Sequence, residues 1–229
     1  MTFLAYRVTE TESGMTATWE SREDDQLPAG DVLIDVQYSS VNYKDALSAS
    51  GNKGVTRAFP HTPGIDAAGV VISSTDAAFK AGDEVVVFGY DLGMNTEGGY
   101  GQHIRVPSAW VLAKPAGISA AEAMAWGTAG FTAALSVQKL ERAGMQPNKG
   151  SVVVTGATGG VGSVAVALLA KLGYDVVALS GKAEQEAWLK ELGASRVIGR
   201  DEVMALKGKA MAKPLYQAAL DTVGGDMVS

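Results

Sequence analysis

The sequence predicts an α/β protein in which a β-rich first half is followed by strands and helices in alternation. Two observations support this prediction. Short apolar runs bounded by Gly and Pro fill the first half, and β-branched runs alternate with helical segments from Ser151 onward. This alternation is typical of a parallel sheet with right-handed crossovers, whereas the short strands before it indicate a small barrel-like β domain.

Composition limits the classes of function open to this 229-residue chain. It is 47% hydrophobic and 19% charged, as is typical of a globular protein, and its net charge of −6 with scattered basic residues argues against nucleic-acid binding. Because cysteine is absent, the sequence excludes disulfides, thiolate zinc sites and a cysteine nucleophile, and its two histidines give little basis for a metal site. No segment resembles a membrane span or a secretory signal, so we expect a cytoplasmic protein without membrane partners.

The first half contains three predicted strands and two long loops. Alternation in Val32–Tyr38 predicts a strand, and residues 69–72 and 83–88 form two further short apolar runs. Residues 39–63 and 90–101 are expected to be irregular. Loops of that length are more often functional than accidental.

Helices and strands alternate in the second half. Ser119 and Glu122 form a capping-box pattern before an Ala-rich run that reaches Arg142 and ends at Gly144, which predicts one or two helices. Trp126, Phe131 and Trp188 stand at helical positions and are expected in the core. The strands predicted beyond this run are 152–155, 174–179, 196–199 and 216–221. The predicted helices are 163–172, 183–192 and 201–207. Since a doubly wound sheet normally has six strands, the sequence is expected to be a fragment with an incomplete sheet.

A glycine-rich turn connects the first of these strands to its helix. The turn contains five candidate cofactor-binding residues, Thr158, Gly159, Gly160, Val161 and Gly162. Glycine lets backbone amides approach a diphosphate closely, and the following helix start adds N–H donors and the positive end of its dipole. A strand, a glycine turn and a helix in this order predict a dinucleotide site and therefore a nicotinamide enzyme.

The end of the next strand bears on the choice of dinucleotide. An NAD-selective site usually has a carboxylate there to hold the ribose 2′-hydroxyl, but this chain has Ser180, Gly181 and Lys182. A hydroxyl and an ammonium favour a 2′-phosphate, and Arg200 follows the third strand within reach of the same group. The sequence therefore predicts NADPH as cofactor; the alternative is that Lys182 and Arg200 are ordinary solvated charges.

Four motifs in series give the chain a family resemblance: VNYKDAL from Val41, FPHTPGIDAAGVV from Phe59, GTAGFTA from Gly127, and the glycine turn. Together they resemble the medium-chain dehydrogenase/reductase superfamily, most closely its zinc-free quinone-oxidoreductase branch and the acrylyl-CoA reductase group. The resemblance implies a GroES-like catalytic domain over residues 1–117 and a Rossmann NADP-binding domain over residues 118–229, of which the C-terminal half is missing. It also implies a homodimer at full length.

The resemblance implies zinc-independent reduction of the C=C bond of an activated alkene. Zinc alcohol dehydrogenases have Gly-His-Glu where this chain has Gly64, Ile65 and Asp66, so we expect no metal. Acryloyl-CoA is the expected substrate and a quinone the alternative; a non-catalytic NADPH-binding protein, or an inactive fragment of an enzyme, is also consistent with the sequence. The candidate catalytic residues, in a loop that by the resemblance faces the nicotinamide, are Asn42, Tyr43, Lys44 and Asp45.

Each of these roles has a structural alternative. Tyr43 or Lys44 would donate to the enolate oxygen or relay the proton, while Asn42 and Asp45 would hold the loop; alternatively, Asn42 and Asp45 make cap bonds and Lys44 points to water. Thr128 resembles a residue that touches the cofactor. Its alternative is a buried helical threonine bonded to its own backbone.

Overall fold

The computed structural model describes residues 1–204 and 214–225, and these fall into two compact units. The first unit is Met1–Thr128 and the second is Ala129–Ser229. The boundary between the two family domains, expected after residue 117, stays a prediction.

The regular secondary structure of the first unit is mostly antiparallel strands. Its elements are β1 (Thr2–Thr11), β2 (Gly14–Glu23), β3 (Val32–Tyr38), α1 (Tyr43–Ala49), β4 (Asp66–Ser74), β5 (Glu84–Phe88), β6 (His103–Val106) and β7 (Val111–Ala113). Strands β1 and β2 form a hairpin, and the other five form a sheet in the order β6-β3-β4-β5-β7. Valines and isoleucines from all five strands of that sheet form its core, including Val32, Ile34, Val71, Val85 and Ile104.

Strands β1, β2, β6 and β7 and helix α1 were absent from the sequence prediction. The β1–β2 hairpin was missed because polar and charged residues cover most of β2, which leaves little apolar alternation to detect. The stretch 39–63 was expected to be irregular, and that expectation was wrong because α1 lies within it. Asn42 is the N-cap of α1, and Asp45 accepts a hydrogen bond from its backbone amide.

Helix α2 (Ala120–Arg142) follows β7 and is interrupted at Gly127. The predicted capping box at its start is confirmed, because Ser119 and Glu122 exchange hydrogen bonds between side chain and backbone amide. Gly127 has φ +46° and ψ −153°, a conformation that a residue with a Cβ rarely adopts. The run is therefore two helical segments joined at a glycine kink.

The second unit contains a four-stranded parallel sheet. Its remaining elements are β8 (Val152–Val154), α3 (Gly160–Lys171), β9 (Val176–Leu179), α4 (Glu186–Glu191), β10 (Arg196–Ile198), α5 (Arg200–Met204) and β11 (Ala218–Leu220). The strand order β10-β9-β8-β11 is that of a doubly wound sheet, so the predicted α/β class and parallel sheet are confirmed. Residues 205–207 of the predicted helix 201–207 lie outside the described residues.

Three aromatic residues expected in the core are on the surface instead. Trp126, Phe131 and Trp188 are 54%, 55% and 38% exposed. The buried positions of the same helices are held by small or aliphatic side chains, among them Ala133, Val137 and Leu189. Helical spacing alone could not show which face of each helix packs inward.

Candidate active site

The glycine turn lies between β8 and α3. Gly159 is the N-cap of α3, and its carbonyl accepts the amide of Ser163 at 2.9 Å. A Cβ at Gly162 would lie 2.2 Å from the carbonyl oxygen of Gly156, so only glycine allows the first turn of α3 to pack this closely on the turn. The first amides of a helix have no carbonyl partner within it, so this helix start presents donors suited to a diphosphate.

A cavity of about 560 Å³ lies beside this turn, at the carboxyl ends of β9 and β10. Its lining includes four predicted cofactor residues, Thr158, Ser180, Lys182 and Arg200, together with the carboxylates of Glu186 and Asp201. The Ser180 hydroxyl is buried and accepts the backbone amide of Lys182 at 3.0 Å. The structure thus brings the two predicted cations and the predicted hydroxyl to one cavity.

Gly181, between Ser180 and Lys182, leaves room for the side chain of Arg200 beside it. A Cβ at Gly181 would be 3.3 Å from Nε of Arg200, so a larger residue would press on the guanidinium. A neighbouring hydroxyl, an ammonium and a guanidinium suit a phosphate monoester. The residues present therefore fit a phosphorylated dinucleotide, with its diphosphate at the start of α3.

The Asn42 loop of the first unit divides its four candidate residues into two pairs. Tyr43 is 82% exposed and Lys44 is also exposed, whereas Asp45 is buried at the first turn of α1. The Asp45 carboxylate accepts the backbone amides of Asn42 at 2.7 Å and Ile65 at 2.9 Å. The cap bonds weighed as an alternative are therefore present, but they leave the phenol and the ammonium free to face a substrate.

Asp66, at the start of β4, is a fully buried carboxylate beside this loop. Its Oδ2 accepts Nδ2 of Asn42 at 3.0 Å and the backbone amide of Thr128 at 2.9 Å. The hydroxyls of Ser40 and Thr128 donate to its two oxygens. The alternative for Thr128, a hydroxyl bonded to its own backbone, is wrong because that hydroxyl bonds Asp66.

Gly127 allows the close approach of Asp66 to the kink of α2. A Cβ at that position would lie 2.7 Å from Oδ2 of Asp66 and 3.1 Å from Oγ of Ser40. Because Gly127 has no side chain, the carboxylate of Asp66 can approach closely enough to accept the backbone amide of Thr128.

An apolar cavity of about 660 Å³ opens against the same loop. Its walls come from the β1–β2 hairpin, the end of β3, α1 and the segment before β6, including Tyr6, Trp19, Tyr38, Val41 and Tyr100. Asp45 also lines it, and the Tyr100 phenol lies 3.2 Å from Oδ2 of Asp45. Burial, followed by the negative charge of Asp45, raises the pKa of Tyr100 well above its usual value. Tyr100 is thus kept protonated and donates a hydrogen bond to Asp45.

Sequence reasoning missed Asp66, Ser40 and Tyr100. Asp66 was noted only where the chain departs from the zinc-binding triplet, and Tyr100 lies far along the chain from Asp45. A usable signal was present in Gly127, because a glycine within a helical run often marks a close approach of another group. The catalytic and cofactor roles of the predicted residues stay predictions.

Both histidines have structural partners. The ring Nε2 of the buried His61 lies 2.9 Å from the carbonyl oxygen of Gly93, and burial lowers its pKa. Nδ1 of His103 lies 2.7 Å from Asp24.

Within residues 1–204 and 214–225, no three His, Asp or Glu side chains group in a way that could hold a metal ion. Over the same residues, none of the helices has both the length and the apolar character needed to cross a bilayer.

Comparison with known proteins gives this geometry a family context. Residues 28–116 match the family model of the alcohol dehydrogenase GroES-like domain. The chain is 50% identical over 209 residues to a putative quinone oxidoreductase, YhfP, of Bacillus subtilis, covering 91% of the chain and 63% of that protein. It is 48% identical over 221 residues to a probable acrylyl-CoA reductase, AcuI, of Escherichia coli, covering 96% of the chain and 68% of that protein.

Solved structures agree over the whole chain. The YhdH oxidoreductase of Salmonella enterica in complex with NADP superposes with a TM-score of 0.94 at 48% identity, covering 100% of this chain and 69% of that one. Bacillus subtilis YhfP with NAD bound superposes with a TM-score of 0.96 at 46% identity and the same coverage.

The chain therefore spans about two thirds of the length of the relatives that it matches, 63% and 68% in the two comparisons of sequence. Its GroES-like part, its parallel sheet and these relatives agree with the predicted architecture. This chain belongs to the medium-chain dehydrogenase/reductase superfamily, in its zinc-free branch of quinone-oxidoreductase-like proteins.

Proposed function

We propose that this chain binds NADPH and reduces the C=C bond of an activated alkene, with acryloyl-CoA as the leading substrate and propionyl-CoA as product. The observation that carries the cofactor is the cavity where Ser180, Lys182 and Arg200 meet beside the glycine turn. The names of the acrylyl-CoA reductase relatives, at 48% and 44% identity, support the substrate. The homodimer implied by the resemblance and the cytoplasmic location expected from the sequence also stay predictions.

The residues proposed to hold the cofactor have separate tasks. The amides of Gly159, Gly160, Val161 and Gly162 would receive the diphosphate, with Thr158 beside them. Ser180, Lys182 and Arg200 would hold the 2′-phosphate by charge-assisted hydrogen bonds. Thr128, by the resemblance, would contact the cofactor from the segment after the Gly127 kink.

The proposed chemistry is a conjugate reduction. When bound, NADPH supplies the hydride that the β-carbon of the alkene receives. The C=C electron pair then moves toward the carbonyl to give an enolate, and a proton from solvent is added at the α-carbon. Tyr43 and Lys44, exposed on the first turn of α1, are proposed to donate to the enolate oxygen and relay that proton, while Asn42 and Asp45 fix the loop.

The apolar cavity favours a quinone as the second candidate acceptor. At about 660 Å³ it is in the size range of pockets that hold small organic ligands, and its aromatic walls suit a planar ring. A relative at 50% identity is named a putative quinone oxidoreductase. The two candidates share the cofactor and the loop and differ in the group that the cavity accepts.

Consumption of NADPH by the purified chain tests the proposal. Acryloyl-CoA, crotonyl-CoA and benzoquinone are supplied in parallel, and calorimetry compares NADPH with NADH. We expect the fastest turnover with acryloyl-CoA and tighter binding of NADPH. Turnover with benzoquinone alone would select the second candidate, and binding without turnover would indicate a non-catalytic NADPH-binding protein. A longer form extended through the rest of the family's sheet separates that last result from inactivity of this 229-residue chain.

Substitutions in the loop test the donors. Tyr43→Phe and Lys44→Met each remove one donor, and the more important one should lower kcat about 100-fold, as loss of a general acid does. Lys80→Met removes an exposed ammonium elsewhere in the unit and serves as the matched control. Equal turnover in all three variants would exclude both residues as donors.

A further inference from the structure

Asp66 is a fully buried carboxyl group whose hydrogen-bond partners, among the residues that the structure describes, are all uncharged. Its carboxylate is fully buried, and the donors that reach it are the hydroxyls of Ser40 and Thr128, the amide group of Asn42 and the backbone amide of Thr128. A carboxylate removed from water carries a large desolvation cost, which only several well-placed donors offset. Position 66 therefore has a side chain with a large desolvation cost, where an apolar side chain of similar size would have none.

The partners of Asp66 come from two segments that the proposed function uses separately. Asn42 starts the loop of candidate catalytic residues, and Thr128 is the candidate cofactor contact after the kink of α2. Both donate to the same carboxylate oxygen, Asn42 at 3.0 Å and the Thr128 backbone amide at 2.9 Å. Gly127 keeps the space that this arrangement needs, since its Cβ would lie 2.7 Å from that oxygen.

We propose that Asp66 is a positioning residue of the reductase, whose carboxylate fixes the Asn42 loop and Thr128 relative to each other. This inference rests on the proposed function. Asp66 itself need not touch substrate. Its effect comes through the placement of Asn42, Tyr43 and Lys44 on one side and of Thr128 on the other, where a misplacement of about 1 Å can cost about 100-fold in rate.

Asp66→Asn is the direct test. The amide keeps the size of the side chain but turns an NH₂ group toward donors, so one of the hydrogen bonds from Asn42, Ser40 or Thr128 must be lost. With acryloyl-CoA as acceptor, we expect kcat to fall about 100-fold, while the KM for acryloyl-CoA and the Kd for NADPH from fluorescence titration change by less than about threefold.

Asp175→Asn is the matched control. Asp175 also accepts two hydroxyl hydrogen bonds, from Ser151 and Ser195, but it precedes β9 and so lies at the opposite end of the sheet from the glycine turn. The Asp175→Asn substitution should lower the unfolding temperature without lowering kcat. Turnover in Asp66→Asn equal to that of the parent, or an equal loss of kcat in Asp175→Asn, would overturn the proposal.

Two further measurements keep the test decisive. If Asp66→Asn does not fold, Thr128→Val removes only the side-chain donor to Asp66 and should lower kcat about tenfold, while Asp175→Asn keeps the kcat of the parent. A kcat of Thr128→Val equal to that of the parent would contradict the proposal. Hydrogen exchange needs no acceptor: the amides of Asn42, Asp45 and Thr128 should exchange faster together in Asp66→Asn but not in Asp175→Asn. If the parent fails to oxidise NADPH, the proposed function fails, while exchange still reports whether Asp66 links the two segments.

Discussion

The glycine turn of the second unit and the Asn42 loop of the first are built in different ways. In the glycine turn, backbone packs against backbone within one short segment. A Cβ added at Gly162 would lie only 2.2 Å from the carbonyl oxygen of Gly156. In the Asn42 loop, side chains connect distant segments, since the partners of Asp66 are 24, 26 and 62 positions away along the chain. A local backbone motif leaves a pattern in the sequence, whereas a long-range side-chain cluster leaves almost none.

Gly162→Ala tests the local half of this comparison and should have the largest effect. The added Cβ meets a backbone oxygen that cannot move without displacing the turn, so we expect NADPH affinity to fall about 1000-fold, or about 4 kcal/mol. Fluorescence titration with NADPH measures the change. Ser163→Ala, one residue further along α3, adds no such contact and should bind normally. Normal binding by Gly162→Ala would show that the turn is not held by close packing.

The difference between the two sites explains what could be predicted. The parallel sheet and the capping box at Ser119 follow from local patterns and are confirmed. Ser180, Lys182 and Arg200 were also selected from local patterns and line one cavity, while their cofactor roles stay predictions. The polar β1–β2 hairpin and the apolar cavity beside it did not follow from any local pattern. Nor did the Asp66 cluster, because no spacing rule connects an aspartate in a strand to a threonine 62 positions later.

Glu97→Gln tests the long-range half of the comparison. Glu97 is a half-buried carboxylate of the first unit: it forms ion pairs with Arg7 and, at 3.1 Å, Arg22, and it accepts the backbone amide of Thr62 at 3.0 Å. Burial favours its protonated form, but the hydrogen bonds from Arg7 and Thr62 outweigh this and lower its pKa. The variant removes the main charge paired with the buried Arg7 and leaves it the half-exposed carboxylate of Glu20 at 4.0 Å, so we expect a loss of about 3 kcal/mol in the free energy of unfolding.

Urea unfolding of the first unit measures this loss, and Glu10→Gln is its control. Glu10 pairs with Lys53 at 2.6 Å, but both side chains are about half exposed, so its loss should cost less than about 1 kcal/mol. Because the pKa of Glu97 is lowered by folding, its contribution is complete above about pH 4.3 and is lost as the pH falls through its folded value. Equal losses in the two variants would mean that long-range polar contacts do not hold this unit together.

Arg200→Gln sharpens the comparison by testing whether the predicted cations act as a site. Loss of a charge-assisted contact should weaken NADPH binding about 30-fold, or about 2 kcal/mol, and leave NADH binding nearly unchanged. Calorimetry with both dinucleotides gives the ratio. Arg196→Gln removes a neighbouring exposed guanidinium that lies 3.9 Å from Glu202 and outside the lining of the cofactor cavity. If both variants lose the same affinity, Arg200 contributes only general positive charge.

His61→Gln should have the smallest effect and isolates a polar contact of the first unit that depends on pH. The buried His61 ring donates from Nε2 to the Gly93 carbonyl, and burial lowers its pKa, so the unfolded chain binds its proton more readily. The stability that the neutral ring contributes is therefore complete above about pH 6.5 and is lost as the pH falls toward the folded pKa, at no more than about 1.4 kcal/mol per pH unit. Glutamine can keep a donor toward Gly93 but has no proton to gain. The free energy of unfolding, measured by urea between about pH 7.5 and 5.5, should fall more steeply for the parent than for the variant. Parallel slopes would assign the pH dependence of stability to groups other than His61.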